Sequence, residues 1–214
     1  MRILALDGSL ARASAALWMD GSVLASRAVA GDRVQPTALP PMAEELLREA
    51  GTLDAVAVVV GPGSFTGLRS AIALAEGIAL GLGVKVVGVT TGEALAAALP
   101  EALRMRVVWA AIDTKRGRFA LEKVNGLIGA PPVVLTEQDL PRPAGPVAVT
   151  GDAAPLVAAR QLARDADAVL TDSRLPDAGA AALVAALRLA GAIPMRDAAP
   201  LYAEPPAVRM PSAR

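Results

Sequence analysis

Three short stretches of the 214-residue chain combine residue types that could handle a phosphate or a nucleic-acid backbone. The first is Gly-Pro-Gly-Ser-Phe-Thr-Gly at positions 61–67. Three glycines and a proline allow positive φ and a sharp turn. Backbone N–H groups can then converge beside a helix N-terminus, where the dipole favours an anion. The same spacing also suits a plain strand-to-helix turn capped by Ser64 or Thr66. The second stretch is Asp7-Gly8-Ser9. Its carboxylate and hydroxyl at a strand end could hold a phosphate or its magnesium, or could simply bond nearby backbone N–H groups in a turn. The third runs from Asp113 to Phe119 and contains Lys115, Arg116 and Arg118, the densest basic cluster in the chain. It reads either as a phosphate or RNA-backbone contact or as the solvated approach to a hairpin.

Several chemistries are excluded by residue type. The glycine-rich stretch lacks the Lys-Ser or Lys-Thr of a P-loop, and its spacing is one residue too long for a dinucleotide fingerprint. Its central residue between Gly63 and Gly67 is Phe65, so it is no serine elbow. The chain has no cysteine, which removes disulfides, thiolate nucleophiles and cysteine metal sites. It has no histidine either, which removes the commonest general base and the commonest transition-metal ligand. Oxygen-ligated magnesium remains chemically open. A peptidase would have to pair a serine with Lys85, Lys115 or Lys123, none at informative spacing. The 21 basic and 21 acidic residues balance, against the basic surplus of a bulk nucleic-acid binder.

These stretches must be positioned by strands and helices of small apolar residues, since 54% of the chain is hydrophobic but only 2% aromatic. Ile3–Leu6 predicts a buried strand ending at Asp7-Gly8-Ser9. Ala13–Met19 and Ser22–Val29 predict a hairpin about Asp20-Gly21. Residues 31–41 read as loop before a helix from Pro41 to Ala50. Ala55–Val60 is a β-branched run, hence a strand buried on both faces. Helical spacing then covers Leu68–Leu82. Val84–Val89 predicts a parallel strand, and Thr90 with Glu93 has capping-box spacing for a helix to about Leu99. Past a junction at 100–104, Arg106–Ile112 ends at Asp113 as the first strand ends at Asp7. Arg118–Val124, Asn125-Gly126, Val133–Leu135 and Val147–Thr150 predict further strands and a turn, and Leu156–Ala163 and Ala178–Ala190 helices. The tail, Ala199–Pro206, reads as extended. The start is too short and too acidic for a signal segment, and Arg69 and Glu76 interrupt the most apolar window. No transmembrane helix is expected, and the chain reads as cytoplasmic.

Val-Gly-Pro-Gly-Ser-Phe-Thr-Gly-Leu-Arg at 60–69 resembles the signature of the TsaB (YeaZ) family. The Leu-Ala-Leu-Asp-Gly-Ser opening at 4–9 is similar to that family's first strand, with Gly8 where Thr is usual. Residues 113–119 and the Pro-Leu-Tyr segment at 200–202 extend the likeness, with Ala203-Glu204 in place of an apolar-Arg pair. The resemblance implies an α/β chain of the actin-like ATPase (ASKHA, ribonuclease H-like) fold. Two subdomains with mixed sheets flanked by helices are expected, 1–100 and 101–214, the second with an extended tail. It further implies a non-catalytic scaffold subunit of the complex that transfers a threonylcarbamoyl group to the adenosine beside the anticodon of tRNAs reading codons starting with A. The alternative on the same fold is a stand-alone ATPase or small-molecule kinase, with Asp7 and Asp113 around magnesium.

The partners so implied are a catalytic TsaD paralogue in a heterodimer, a TsaE-type ATPase in the larger complex, tRNA indirectly, and a second copy when the chain is alone; no membrane is implied. Leu39, Met42, Leu46, Leu68, Ile72, Ala75 and Glu76 are expected at the partner interface. Asp7, Ser9, Gly61, Gly63, Ser64, Thr66, Gly67 and Arg69 are the nucleotide- or anion-binding candidates. Lys115, Arg116 and Arg118 are the candidate tRNA contacts. No catalytic residue and no metal ligand is expected. No cofactor is required by the chain itself, with ATP or ADP placed at the complex interface.

Overall fold

Two sheets of the same strand order are built from the two halves of the chain, and the computed structural model describes residues 1–204. In the first half, β1 (Arg2–Leu10), β2 (Arg12–Met19) and β3 (Ser22–Ala30) form an antiparallel meander. Asp20 and Gly21 both take positive φ, 47° and 97°, as a two-residue hairpin turn requires. Strand β4 (Ala55–Gly61) lies parallel to β1, and β5 (Lys85–Thr90) parallel to β4. The order is β3-β2-β1-β4-β5. Every residue of β4 is buried, as its unbroken run of Ala and Val predicts.

The second half repeats this plan. Strand β6 (Val107–Asp113) is antiparallel to β7 (Phe119–Asn125) and parallel to β10 (Val147–Thr150), which is parallel to β11 (Ala168–Leu170). Short strands β8 (Ile128–Gly129) and β9 (Val133–Leu135) pair with β7. The order is β11-β10-β6-β7-β8, so β6 stands where β1 stands in the first sheet.

Helices fill three layers around the sheets. Helix α1 (Gln35–Ala50) and α2 (Phe65–Leu82) cover the outer face of the first sheet. Helix α5 (Ala154–Leu162) covers part of the outer face of the second. Between the sheets lie α3 (Thr91–Ala97) and α6 (Ala178–Leu189), in contact with each other. Helix α6 comes from the second half but packs Ala178, Ala181, Ala182, Val184 and Ala185 on the inner face of the first sheet. Helix α3 comes from the first half and packs Leu95 and Ala96 on the inner face of the second. The small side chains of α6 let it approach the strands closely. The strands therefore divide between residues 90 and 107, while the last helix of each half crosses over.

Three local expectations are corrected. Strand β1 continues through Asp7 and Ser9 to Leu10, with an irregularity in its pairing after Asp7. Helix α1 begins at Gln35, six residues before Pro41, with Pro36 in its first turn and Pro40 and Pro41 inside it. Those two prolines and the carbonyls they leave unpaired, on Pro36 and Thr37, all lie on the exposed side, where solvent can serve them. The short helix α4 (Glu101–Arg104) and strand β11 were not foreseen. Helix α2 is long and apolar enough to span a bilayer by length and composition alone. In this fold one of its faces is buried against β1, β4 and α1.

Candidate functional site

The glycine-rich turn after β4 is packed on the end of β1. Ser64 donates its N–H to Ser9 O at 2.7 Å, and Gly67 donates to the Ser64 hydroxyl at 3.4 Å as α2 begins. Ser64 is thus the helix N-cap, at the position the capped-turn reading assigns it. Side chains at Gly63 and Gly67 would run into the carbonyl oxygens of Ser9 and Gly8, so glycine is needed there for close backbone approach. At Gly61, with φ of 116°, a side chain would meet Leu201 O. Two N–H groups that an anion cradle would use are already committed within the chain.

Asp7 is fully buried. Its Oδ1 accepts from the Ser9 N–H at 2.9 Å and the Ser9 hydroxyl at 2.7 Å, while its Oδ2 has no partner among the described residues. Burial pushes its pKa up to about 6, opposed by the Ser9 hydrogen bonds and by Arg12. Arg12 spans the junction to the second half, donating to Leu175 O at 3.0 Å and lying 3.9 Å from Asp177, the N-cap of α6. Arg69 is engaged within the chain. It donates to the Tyr202 hydroxyl at 2.8 Å and lies 3.8 Å over the Phe65 ring, which stacks on Tyr202 at 5.3 Å. Leu201 donates to Val60 O at 2.7 Å, so the tail is tied to both β4 and α2. Thr66 lies exposed in the first turn of α2. The part of the tail reading that covers Pro205 and Pro206 lies outside the described residues.

The expected interface residues point the other way. Leu39, Met42, Leu46, Leu68, Ile72 and Ala75 are buried between α1, α2 and the first sheet; only Glu76 is exposed. They are core, because a helix on a sheet turns its large apolar stripe inward. The outward face of α2 carries instead Ala73, Glu76, Gly77, Leu80, Gly81 and Leu82, with Phe65, Thr66 and Arg69 exposed at its first turns. Leu80 is 86% exposed, and nothing stands within 4 Å of a Cβ placed on Gly77 or Gly81. This face is nearly flat, with small residues at 73, 77 and 81 on successive turns.

The basic cluster of the second half is neutralised in place. The Lys115 ammonium sits 3.0 Å from Asp113 and 3.6 Å from Asp152. Its hydrogen bond to Asp113 raises the Lys115 pKa. Asp113 is lowered despite its partial burial, by the Lys115 N–H and ammonium. Asp152 is raised, chiefly by burial. Arg116 and Arg118 both pair with Glu204, at 3.1 and 2.8 Å. The fold family would suggest magnesium between Asp7 and Asp113. The residues do not fit it: Asp113 already holds an internal ammonium, and Asp7 is sealed beneath Ser9.

One polar cluster escaped the sequence reading. Arg188 Nη2 donates to both carboxylate oxygens of Glu93, at 2.6 Å each, with both side chains buried. Beside it, Glu122 on β7 is fully buried and accepts from Gly92 N at 3.0 Å and from the Thr90 hydroxyl. Burial, with the charge of Glu93 adding to it, pushes the Glu122 pKa up to about 8, against the hydrogen bonds from Thr90 and Gly92. The capping box at Thr90 and Glu93 is present as expected, but Glu93 also links α3 to α6. The sequence signals were an arginine inside an Ala/Leu helix and a glutamate between Leu121 and Lys123 in a strand.

The fold and geometry agree with known proteins. The family model for TsaD, tRNA N6-adenosine threonylcarbamoyltransferase, matches residues 34–123. Over 121 residues the chain is 38% identical to the tRNA threonylcarbamoyladenosine biosynthesis protein TsaB of Escherichia coli K12, covering 55% of this chain and 52% of that one. It is 33% identical over 128 residues to the Haemophilus influenzae protein of the same name, covering 58% and 54%. The matched region thus spans about half the length of these curated relatives. The solved structure of YeaZ from Pseudomonas aeruginosa has a TM-score of 0.78 at 28% identity, covering 94% of this chain and 99% of that one. Ethanolamine utilization protein EutJ from Carboxydothermus hydrogenoformans, 12% identical with a TM-score of 0.51 over 87% of this chain and 89% of that one, shares the fold alone. The duplicated sheets with crossed-over helices are the actin-like ATPase fold expected from the sequence.

Proposed function

We propose that the chain is a TsaB (YeaZ)-type protein, the non-catalytic partner subunit in the biosynthesis of threonylcarbamoyladenosine in tRNA, and that it acts by binding a TsaD-type paralogue. The observation that carries the partner role is the outward face of α2. Eighteen residues of mostly apolar helix leave Ala73, Gly77, Leu80 and Gly81 uncovered. Small residues in this pattern let a second helix approach backbone to backbone, and an exposed apolar strip of this kind seeks a cover. Roughly 800 Å2 per partner is ordinary for a specific complex. The same face closes on a second copy of the chain when the paralogue is absent.

The absence of histidine from the sequence supports a non-catalytic role, since a histidine-ligated metal would have no ligands here. ATP or ADP then enters at the interface of the complex rather than in this chain alone. The engaged N–H groups at Ser64 and Gly67 support that placement. A TsaE-type ATPase joins the larger assembly, tRNA is met through the complex, and the chain works in the cytoplasm. In cells deprived of the native chain, wild type restores threonylcarbamoyladenosine in digested tRNA, measured by mass spectrometry, and a folded Leu80→Glu variant does not. Full restoration by Leu80→Glu would remove α2 from the proposal; no restoration by wild type would remove the pathway.

A further inference from the structure

The two halves share a strand order but not a helix count. In the first half, α1 connects β3 to β4 and packs across β1 and β2 on the outer face. In the second half, the connection from β9 to β10 runs through residues 136–146 without a helix. Strand β7 stands where β2 stands, and the helix packed on it is α3, on its inner face. Alternation along β7 sends Ala120, Glu122 and Val124 inward and Phe119, Leu121 and Lys123 outward. Leu140 plugs one end of the uncovered outer face, and its carbonyl is held by Arg164 at 2.7 Å. At the other end an open cleft of about 680 Å3 remains.

The cleft has an apolar floor and a cationic rim. Trp109 forms the floor, and Met105 and Val107 are 83% and 38% exposed at its edge. Pro143, Pro146 and Val147 form the opposite wall. Arg106, Lys123 and Arg142 line it, and no carboxylate does. Lys123 lies 5.4 Å over the Trp109 ring, and neither it nor Arg142 has an ion-pair partner among the described residues. Arg106 is paired with Asp167 at 2.6 Å. This differs from the Lys115–Arg118 segment, where every cation is matched by an acid.

We propose that this cleft is a docking groove for a protein segment that presents apolar side chains flanked by carboxylates, taking the place that a counterpart of α1 leaves open. The exposed Met105 and Val107 beside Pro143 and Pro146 call for aliphatic or aromatic side chains against them, and the unmatched cations call for acids beside those. RNA suits the site less well. Trp109 is only 2% exposed and already capped by Lys123, so no ring is offered for a base to stack on. The inference rests on the comparison of the two halves and not on the proposed pathway.

The test is fluorescence anisotropy of the full chain with three labelled probes. These are a short peptide of Glu, Leu and Phe, the same peptide with Lys for every Glu, and a single-stranded oligouridylate. The acidic peptide should bind and the lysine peptide should not. Lys123→Glu with Arg142→Glu should weaken it about tenfold or more, and Met105→Ser should weaken it through the apolar edge. All three positions are exposed, so the variants keep the fold, which a thermal melt checks. Equal binding of the two peptides, no loss in either variant, or binding of the RNA but not the acidic peptide would overturn the proposal.

Discussion

The outer faces of the two sheets begin from the same strand order and end in opposite conditions. On the first, α1 and α2 bury Leu39, Met42, Leu46, Leu68 and Ile72 against Leu4, Leu6, Val56 and Val58. On the second, α5 covers only part of the sheet, and Lys123 and Met105 remain at an open cleft. The covered face presents the small-residue side of α2, where the partner is proposed to sit, and the uncovered face presents the sheet itself, where the second docking groove is proposed. A large apolar stripe therefore marks core where a helix lies on a sheet, and small exposed residues mark where a further helix can come close.

The comparison breaks first if core positions of the covered face behave as surface. Leu46→Ala should cost about 2–5 kcal/mol in denaturant unfolding, and Ile72→Glu should prevent folding by placing a charge at the sheet. Lys123→Ala, on the open face, should stay within about 0.5 kcal/mol. The layer between the sheets supplies the next effect. A folded pKa above the ordinary glutamate range means that the native state holds the Glu122 proton more tightly than the unfolded chain does. Stability is then fully present below that ordinary range and is lost as pH rises to about 8. Asp7 acts in the same direction up to about 6, so the decline between about 6 and about 8 belongs to Glu122. Thermal melts should show that decline, of order ~3 kcal/mol, and Glu122→Gln should flatten it. A wild-type profile that rises over this window would contradict the assignment.

Smaller effects sharpen the contrast. Gly77→Ala adds a methyl into open space on an exposed helix and should stabilise the chain by roughly 0.5–1 kcal/mol. A glycine whose replacement stabilises the free chain but weakens a complex belongs to an interface. Glu204→Ala removes the shared partner of Arg116 and Arg118 and should change stability by less than about 1 kcal/mol. It should also raise retention of the chain on a phosphate-bearing resin at low salt. Unchanged retention would mean that the two arginines are not masked by the tail.

Much of this was legible in the residues. Alternation, β-branched runs and turn pairs located nearly every strand, and the strand-then-Asp echo at Asp7 and Asp113 pointed to duplication. The glycines at 61, 63 and 67 read either as freeing backbone N–H groups for an anion or as a plain capped turn, and side chains there would run into Leu201, Ser9 and Gly8. The start of α1 was hidden because Pro40 and Pro41 read as breakers, and only their exposed placement makes them tolerable. Six of the seven expected interface residues are core, because helical periodicity finds an apolar face without saying that a sheet already occupies it. Pairings across long separations, Arg116 with Glu204 and Glu93 with Arg188, leave no local pattern at all.

The central claim is that the outward face of α2, not its apolar stripe, meets a TsaD-type paralogue. Isothermal titration of the paralogue with wild type and with Gly77→Arg tests it most directly. Gly77 has open space beyond its Cα, so the arginine leaves the fold intact while blocking close helix approach. The predicted result is a discrete wild-type complex and a loss of roughly a hundredfold in affinity for the variant, with its thermal melt no lower than that of wild type. Equal affinity of the two chains would contradict it.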